Sequence, residues 1–118
     1  MERSSLQIQE ELLLAKQSRI EGNEGRARVC ARRAAGAAAQ GYLLKAGIVE
    51  QVENALESLR ILKNELSLPD RVEQAIDHLL LRVDTDHNLP LDVDLIFEAE
   101  TVIQFIISGT QDQLFPDS

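Results

Sequence analysis

Four arginines lie close together within eight residues of the chain: Arg26, Arg28, Arg32 and Arg33. Between Glu24 and Lys45 the local charge is +4, from five cations and one glutamate, whereas the whole chain carries −8, which leaves −12 for the rest. Paired guanidinium N–H groups suit phosphate and other anions. The cluster therefore predicts an anion or nucleotide-phosphate site formed by Arg28, Arg32 and Arg33. The alternative is a structural role, in which the arginines pair with acidic side chains such as Glu10, Glu11, Glu21 and Glu24.

A second candidate site consists of Arg82 and His87, which have four residues between them. An arginine can stabilise charge on a phosphate, and a histidine can transfer a proton near neutral pH. Metal-independent ribonucleases use such a pair, so the spacing predicts Arg82 and His87 as catalytic residues. Arg71 and His78 satisfy a similar pattern, but His78 falls among core positions. We expect His78 to be packed or paired at the edge of the core.

Oxygen-bearing residues between positions 84 and 92 resemble part of a calcium-binding loop, because Asp84, Asp86, Asn88 and Asp92 match its positions 1, 3, 5 and 9. Such a loop also needs a glycine and a closing glutamate, and Leu89 and Leu95 stand at those two positions. We therefore expect these acids to be solvated or to cap a helix, and we expect no metal and no cofactor. Serine elbows, Gly-rich phosphate loops and His-Glu-x-x-His motifs do not occur, which disfavours the common enzyme classes.

The overall charge and the cysteine content limit the partners of the chain. A net charge of −8 opposes contact with anionic membranes or nucleic acids over the whole surface. Cys30 is the only cysteine, so we expect it to pack as a small apolar residue in a reducing compartment. The first residues lack a long apolar core such as a signal peptide has. We expect a cytoplasmic protein that does not associate with a membrane.

The hydrophobic pattern predicts an all-α protein built as a four-to-five-helix up-down bundle. Apolar residues recur at helical spacing, no segment alternates as a strand does, and the aromatic content is only 3%. We expect a single helical domain over residues 1–108 and a flexible tail over 109–118. The expected helices are about Ser4 or Ser5 to Ile20, Gly25 to Ala46, Ile48 to Leu66, Asp70 to Val83, and Asp92 or Asp94 to Ser108.

Two phenylalanines of the last expected helix, Phe97 and Phe105, fall among polar residues on a helical wheel of about 100° per residue. Both rings are therefore expected to leave the core face. We predict that they form the contact of a homodimer.

The stretch from Ala15 to Leu44 resembles the first helical hairpin of HEPN-type domains. The resemblance depends on Arg19, Gly22, Ala27, Arg32, Arg33, Ala34, Ala35 and the Tyr42-Leu43-Leu44-Lys45 end. The region from Ile76 to Ile107 is similar to their second half, in which an arginine, here Arg82, ends one helix before a proline-containing loop and a final helix.

This resemblance implies a four-to-five-helix bundle, often a homodimer, with a role in nucleotide or RNA handling and often a nucleotidyltransferase partner. The family's catalytic pair would correspond to Arg82 and His87, although many members are non-enzymatic. Our leading hypothesis is a non-enzymatic binding or regulatory module. One alternative is a ribonuclease that uses Arg82 and His87. Another is a protein-interaction scaffold, since the first hairpin also resembles one tetratricopeptide-type unit.

Overall fold

The computed structural model describes residues 2–52, 54–81 and 93–114. Within them the chain forms five α-helices and no β-strand, which confirms the expected all-α helical bundle. The helices are α1 (Glu2–Ile20), α2 (Glu24–Lys45), α3 (Ala55–Glu65), α4 (Asp70–Leu80) and α5 (Leu95–Leu114). No helix in these ranges has the length and hydrophobicity needed to cross a lipid bilayer.

Helix α2 is the centre of the bundle and packs against α1, α3 and α5. Its alanine-rich middle, which includes Ala34, Ala35 and Ala39, is fully buried. Because these side chains are small, neighbouring helices can approach α2 on several faces. All five helices contribute to one apolar core, whose largest fully buried side chains include Leu43, Leu59, Ile76, Leu79 and Val102.

Each end of α2 is set by local chemistry. Gly22, with φ of 85°, ends α1, and the N–H of Asn23 donates to the carbonyl of Ser18 at 2.8 Å. Asn23 then caps α2 by accepting from the N–H of Arg26 at 3.1 Å. At the other end Gly47 has φ of 75°, a left-handed conformation that glycine adopts without steric cost and that ends a helix.

Helix α3 begins later than expected. The apolar spacing predicted a helix from Ile48, but α2 ends at Lys45 and the next helix starts at Ala55. The prediction was wrong because the left-handed Gly47 interrupts the helical backbone and because Asn54 is the actual cap, accepting from the N–H of Glu57 at 2.8 Å. Ile48 still packs against the core from a non-helical segment, so its apolar character was no evidence of a helix.

Other helix ends also differ from the expectation. Ser4 and Ser5 lie inside α1, and the N-cap of α4 is Pro69, with no side-chain hydrogen bond, so Asp70 does not cap this helix. Helix α4 ends at Leu80, and α5 continues past the expected end at Ser108. Asp94, one of the two expected starts of the last helix, caps α5, because its carboxylate accepts from the N–H groups of Ile96 and Phe97.

Candidate functional site

The candidate site is a cleft of about 790 Å³ between α2, the start of α3 and the end of α4. Its polar lining is unusual for an acidic protein, since three arginines contribute to it: Arg32, Arg33 and Arg60. Apolar side chains form the remaining wall, chiefly Val29, Leu56, Leu79, Leu80 and Leu81. A small-molecule site commonly has this size and this combination of an apolar wall with a few charged groups.

Arg32 has a structural role at the back of the cleft. Its Nε donates to the carbonyl of Leu79 at 2.9 Å and its Nη2 to the carbonyl of Leu81 at 2.8 Å. The first carbonyl belongs to the last turn of α4 and the second to Leu81, the residue that follows this helix, and carbonyl groups at a helix end lack partners within the helix. Burial, and in second place the charge of Arg28, lowers the pKa of Arg32 from its ordinary value. Arginine remains charged even so, and Arg32 thereby joins α2 to the end of α4.

Arg28 does not line this cleft. Its Nε lies 3.8 Å from a carboxylate oxygen of Glu24, one turn earlier on α2. The expected pairing with Glu24 is therefore present. The three arginines of the predicted anion site are not brought together, since only Arg32 and Arg33 reach the cleft.

Arg33 and Arg60 are the cations that remain available for a ligand. Arg33 is exposed, and in the described part of the chain no carboxylate lies within ion-pair distance of it. Arg60 lies 3.4 Å from Glu57, but both side chains are about half exposed, and such surface pairs are weak. Arg60 was not among the predicted site residues, because it is far from the arginine cluster in the sequence and only the packing of α3 beside α2 brings it to the cleft.

The amino-terminal end of α3 also borders the cleft, since Asn54, Ala55 and Leu56 are part of its lining. The N–H groups of the first helical turn and the helix dipole make such an end favourable for negative charge, and Asn54 accepts from one of these groups, the N–H of Glu57, at 2.8 Å. Its position depends on Gly36 of α2. A Cβ atom at Gly36 would lie 2.2 Å from the Cβ of Ala55 and 2.7 Å from its carbonyl oxygen. Only glycine lets the start of α3 approach α2 this closely.

We expect Arg32→Ala to lower the free energy of unfolding by about 2 kcal/mol, because charge-assisted hydrogen bonds to two helix-end carbonyls are lost. Arg33→Ala on the adjacent position is the matched control and is expected to change stability by less than about 0.5 kcal/mol. Urea denaturation followed by circular dichroism measures both. If the two variants lost equal free energy of unfolding, the result would contradict the structural role assigned to Arg32 and not to Arg33.

A second polar cluster lies between α4 and α5 and was not predicted as a cluster. Glu98, only 4% exposed, forms ion pairs with both Arg71 and His78. The guanidinium of Arg71 also lies 5.5 Å from the centre of the Phe97 ring. The expectation that His78 is paired at the core edge is confirmed. The helical wheel had counted Glu98 among the polar residues around Phe97, which is wrong, and its spacing of three residues after Leu95 and four before Val102 is the signal that could have placed it at the core edge.

The pKa of Glu98 reflects these opposing surroundings. Burial raises the pKa of this carboxyl, but hydrogen bonds and charge from Arg71 and His78 outweigh burial, so the pKa is lowered from 4.5. Glu98 is therefore ionised at neutral pH and holds α4 against α5. The cluster borders neither the arginine cleft nor a second, smaller cavity lined by Tyr42, Leu62 and Phe105, so we assign it a structural role.

The two phenylalanines of α5 have different surroundings. Phe97 is 56% exposed, as expected. Phe105 instead packs against the core and lines a cavity of about 180 Å³ together with Tyr42 and Leu62, so the expectation that it leaves the core face is wrong. Since only one of the rings is exposed, the pair does not form a single apolar surface.

The remaining predicted residues are Cys30 and the pair Arg82 and His87. Cys30 is 1% exposed in the core, and burial followed by the charge of Glu11 raises the pKa of its thiol, which agrees with a packing role. Arg82 and His87, the predicted catalytic pair, lie outside the described residues, as does the acidic segment that resembles a calcium loop. Among the described side chains no cluster of three potential metal ligands occurs.

The fold and the cleft define the class of this protein as an all-α helical bundle with an arginine-lined cleft beside its central helix. The chain matches no protein-family model, no curated protein and no solved structure. Membership of the HEPN-type family thus remains a prediction from the resemblance.

Proposed function

We propose that this protein is a HEPN-like, non-catalytic binding module that holds a phosphate group of a nucleotide or of RNA in the arginine cleft. One observation carries the proposal: Arg33, Arg60 and the amino-terminal end of α3 border the same cleft. Two available guanidinium groups, one on α2 and one on α3, and the amino-terminal end of α3 are three anion-binding features that border one space.

The rest of the cleft favours a ligand that is only partly charged. Val29, Leu56 and Leu80 supply an apolar wall against which a base or a ribose can pack. The net charge of −8 opposes an extended polyanion, whose other phosphates would meet acidic surface. A mononucleotide or the end of a single RNA strand fits these conditions better than a duplex.

We expect isothermal titration calorimetry with ATP to detect binding, and Arg33→Ala and Arg60→Ala each to weaken it about 10-fold. A charge-assisted hydrogen bond contributes roughly 1.5–3 kcal/mol, and 1.4 kcal/mol corresponds to a factor of ten in affinity. Binding should also weaken as salt is raised, because the contact is electrostatic.

Arg26→Ala is the control for this experiment, because Arg26 is an exposed arginine of the same helix that does not line the cleft. The affinity of the Arg26→Ala variant for ATP should equal that of the wild type. Pyrophosphate and a short single-stranded RNA should be titrated in parallel to separate the phosphate contact from the contribution of the base. Equal weakening in Arg26→Ala and Arg33→Ala, or no binding of any of the three probes, would overturn the proposal.

A further inference from the structure

Arg32 adds a third positive charge to the arginine cleft, although its contacts are structural. Its two hydrogen-bond partners, Leu79 and Leu81, offer backbone carbonyls, which carry no net charge. In the described ranges no carboxylate lies within ion-pair distance of Arg32. Burial and the neighbouring charge of Arg28 lower its pKa, which is the direction for a cation that lacks a counter-charge. Arg32 is therefore a fixed, uncompensated positive charge at the back of the cleft.

The charge that a ligand must balance follows from the residues around the cleft. Three guanidinium groups line it, those of Arg32, Arg33 and Arg60. Among the carboxylates of the described residues, only Glu57 forms an ion pair with one of them, at 3.4 Å from Arg60. Three guanidinium groups and one carboxylate give a local charge of +2. A ligand group with two negative charges neutralises the cleft, whereas a group with one leaves a positive charge in it.

The phosphate groups of nucleotides and RNA differ in this charge. A terminal phosphomonoester carries about −1.5 to −2 at neutral pH and offers three acceptor oxygens. A phosphodiester, which is the form inside an RNA strand, carries about one negative charge and offers two such oxygens. The charge of the monoester matches that of the cleft, and the charge of the diester does not.

The hydrogen-bond donors of the cleft also favour the group with more acceptors. Arg32 has five N–H groups, and the carbonyls of Leu79 and Leu81 use two of them. Asn54 caps α3 with its side-chain oxygen, so its amide NH2 group is a further donor beside the same space. Together with Arg33 and Arg60 these groups supply donors from α2 and from the start of α3. Three phosphate oxygens can accept from more of them than two.

We propose that the arginine cleft binds the terminal phosphomonoester of its ligand and discriminates against an internal phosphodiester. This inference rests on the proposed function and adds the class of phosphate that the cleft selects. A free nucleoside phosphate and the phosphorylated end of an RNA strand share this group. The apolar wall of Val29, Leu56 and Leu80 then receives the base that follows the phosphate.

Adenosine 5′-monophosphate (AMP) and 3′,5′-cyclic AMP are matched probes, because they share the base and the sugar and differ in the class of phosphate. In isothermal titration calorimetry at low salt and neutral pH, AMP should bind at least about 10-fold more tightly than cyclic AMP. The second pKa of a phosphomonoester is about 6, so AMP should approach the affinity of cyclic AMP at about pH 5. Any protein group that titrates over this range affects both ligands, so the ratio of the two affinities isolates the phosphate.

Arg32→Gln tests the charge assigned to Arg32. This variant should reduce the preference for AMP over cyclic AMP about 3-fold or more, whereas a purely structural defect would weaken both ligands and keep the ratio. Arg32→Lys retains the charge and should retain the preference. Arg26→Gln, on the same helix but outside the cleft, is the matched control and should leave both affinities unchanged. If Arg32→Gln does not fold, the comparison of the two ligands on the wild type still decides the proposal.

A short single-stranded RNA with a 5′-phosphate, and the same RNA with a 5′-hydroxyl group, identify the source of the monoester. Tight binding of the phosphorylated strand alone assigns the cleft to an RNA end, and binding of AMP but of neither strand assigns it to a free nucleotide. If cyclic AMP binds as tightly as AMP while Arg33→Ala weakens both, the proposed function stands and the selection of a monoester is wrong. If ATP, AMP and cyclic AMP all fail to bind, the proposed function itself is wrong.

Discussion

Glu98→Gln should lower the free energy of unfolding by about 2 kcal/mol at neutral pH. The substitution keeps the size of the side chain but removes the charge that pairs with Arg71 and His78. Removing one member of a buried ion pair costs roughly 3–5 kcal/mol when the other is left buried without a partner. The cost here should be smaller, because the Arg71 side chain is 44% exposed and can turn into water.

The difference in stability between the wild type and Glu98→Gln should decrease as the pH falls. The pKa of Glu98 in the folded protein lies below its ordinary value of 4.5, so ionised Glu98 stabilises the fold above that value. The stabilisation is lost as the pH falls through the folded-state pKa. We therefore expect wild type and Glu98→Gln to differ fully at pH 7 and to converge well below pH 4.5.

Urea denaturation at a series of pH values measures this convergence. Glu100→Gln is the control, because Glu100 lies on the same helix and pairs with Lys16 at 2.9 Å, with both side chains 40% or more exposed. Exposed pairs contribute roughly 0–1 kcal/mol, so this variant should stay close to the wild type. If Glu98→Gln lost the same stability at pH 7 and at pH 3, the result would contradict this prediction. It would show that Glu98 stabilises the fold by packing and not by its ion pairs.

Gly36→Ala should destabilise the protein by about 2 kcal/mol. The new methyl group would overlap the backbone of Ala55, so α3 must move away from α2. Overpacking of this kind costs roughly 1–3 kcal/mol or more, while the better helix propensity of alanine returns about 1 kcal/mol. Because Ala55 also lines the arginine cleft, the displacement of α3 should weaken ATP binding as well.

Gly25→Ala is the matched control for this prediction. It makes the same substitution on the same helix, but there the nearest atom to the new Cβ is 3.9 Å away. Its stability and its affinity for ATP should be unchanged or slightly higher. If Gly36→Ala proves as stable as Gly25→Ala, the close approach of α2 and α3 does not constrain the fold.

The sequence predicted the parts of the fold that depend on neighbouring residues. The all-α class followed from the helical spacing of apolar residues, and the end of the first helix at Ile20 and the start of the last helix at Asp94 followed from local chemistry. The same reasoning gave a third helix that was too long. Apolar residues such as Ile48 can pack on a core from a non-helical segment, so periodicity alone did not show where Gly47 and Asn54 divide the chain.

By itself, then, the sequence determined an acidic helical bundle with a basic second helix, a paired His78 and a buried Cys30. Only the tertiary structure decided which arginines have a structural role and which line the cleft. Arg32 became a support for α4 because two carbonyls, 47 and 49 residues away in the chain, lie beside it. Arg60 joined Arg33 at the cleft because Gly36 lets α3 approach α2. Such contacts depend on how helices pack over long sequence separations, and local propensity and spacing carry no information about that packing.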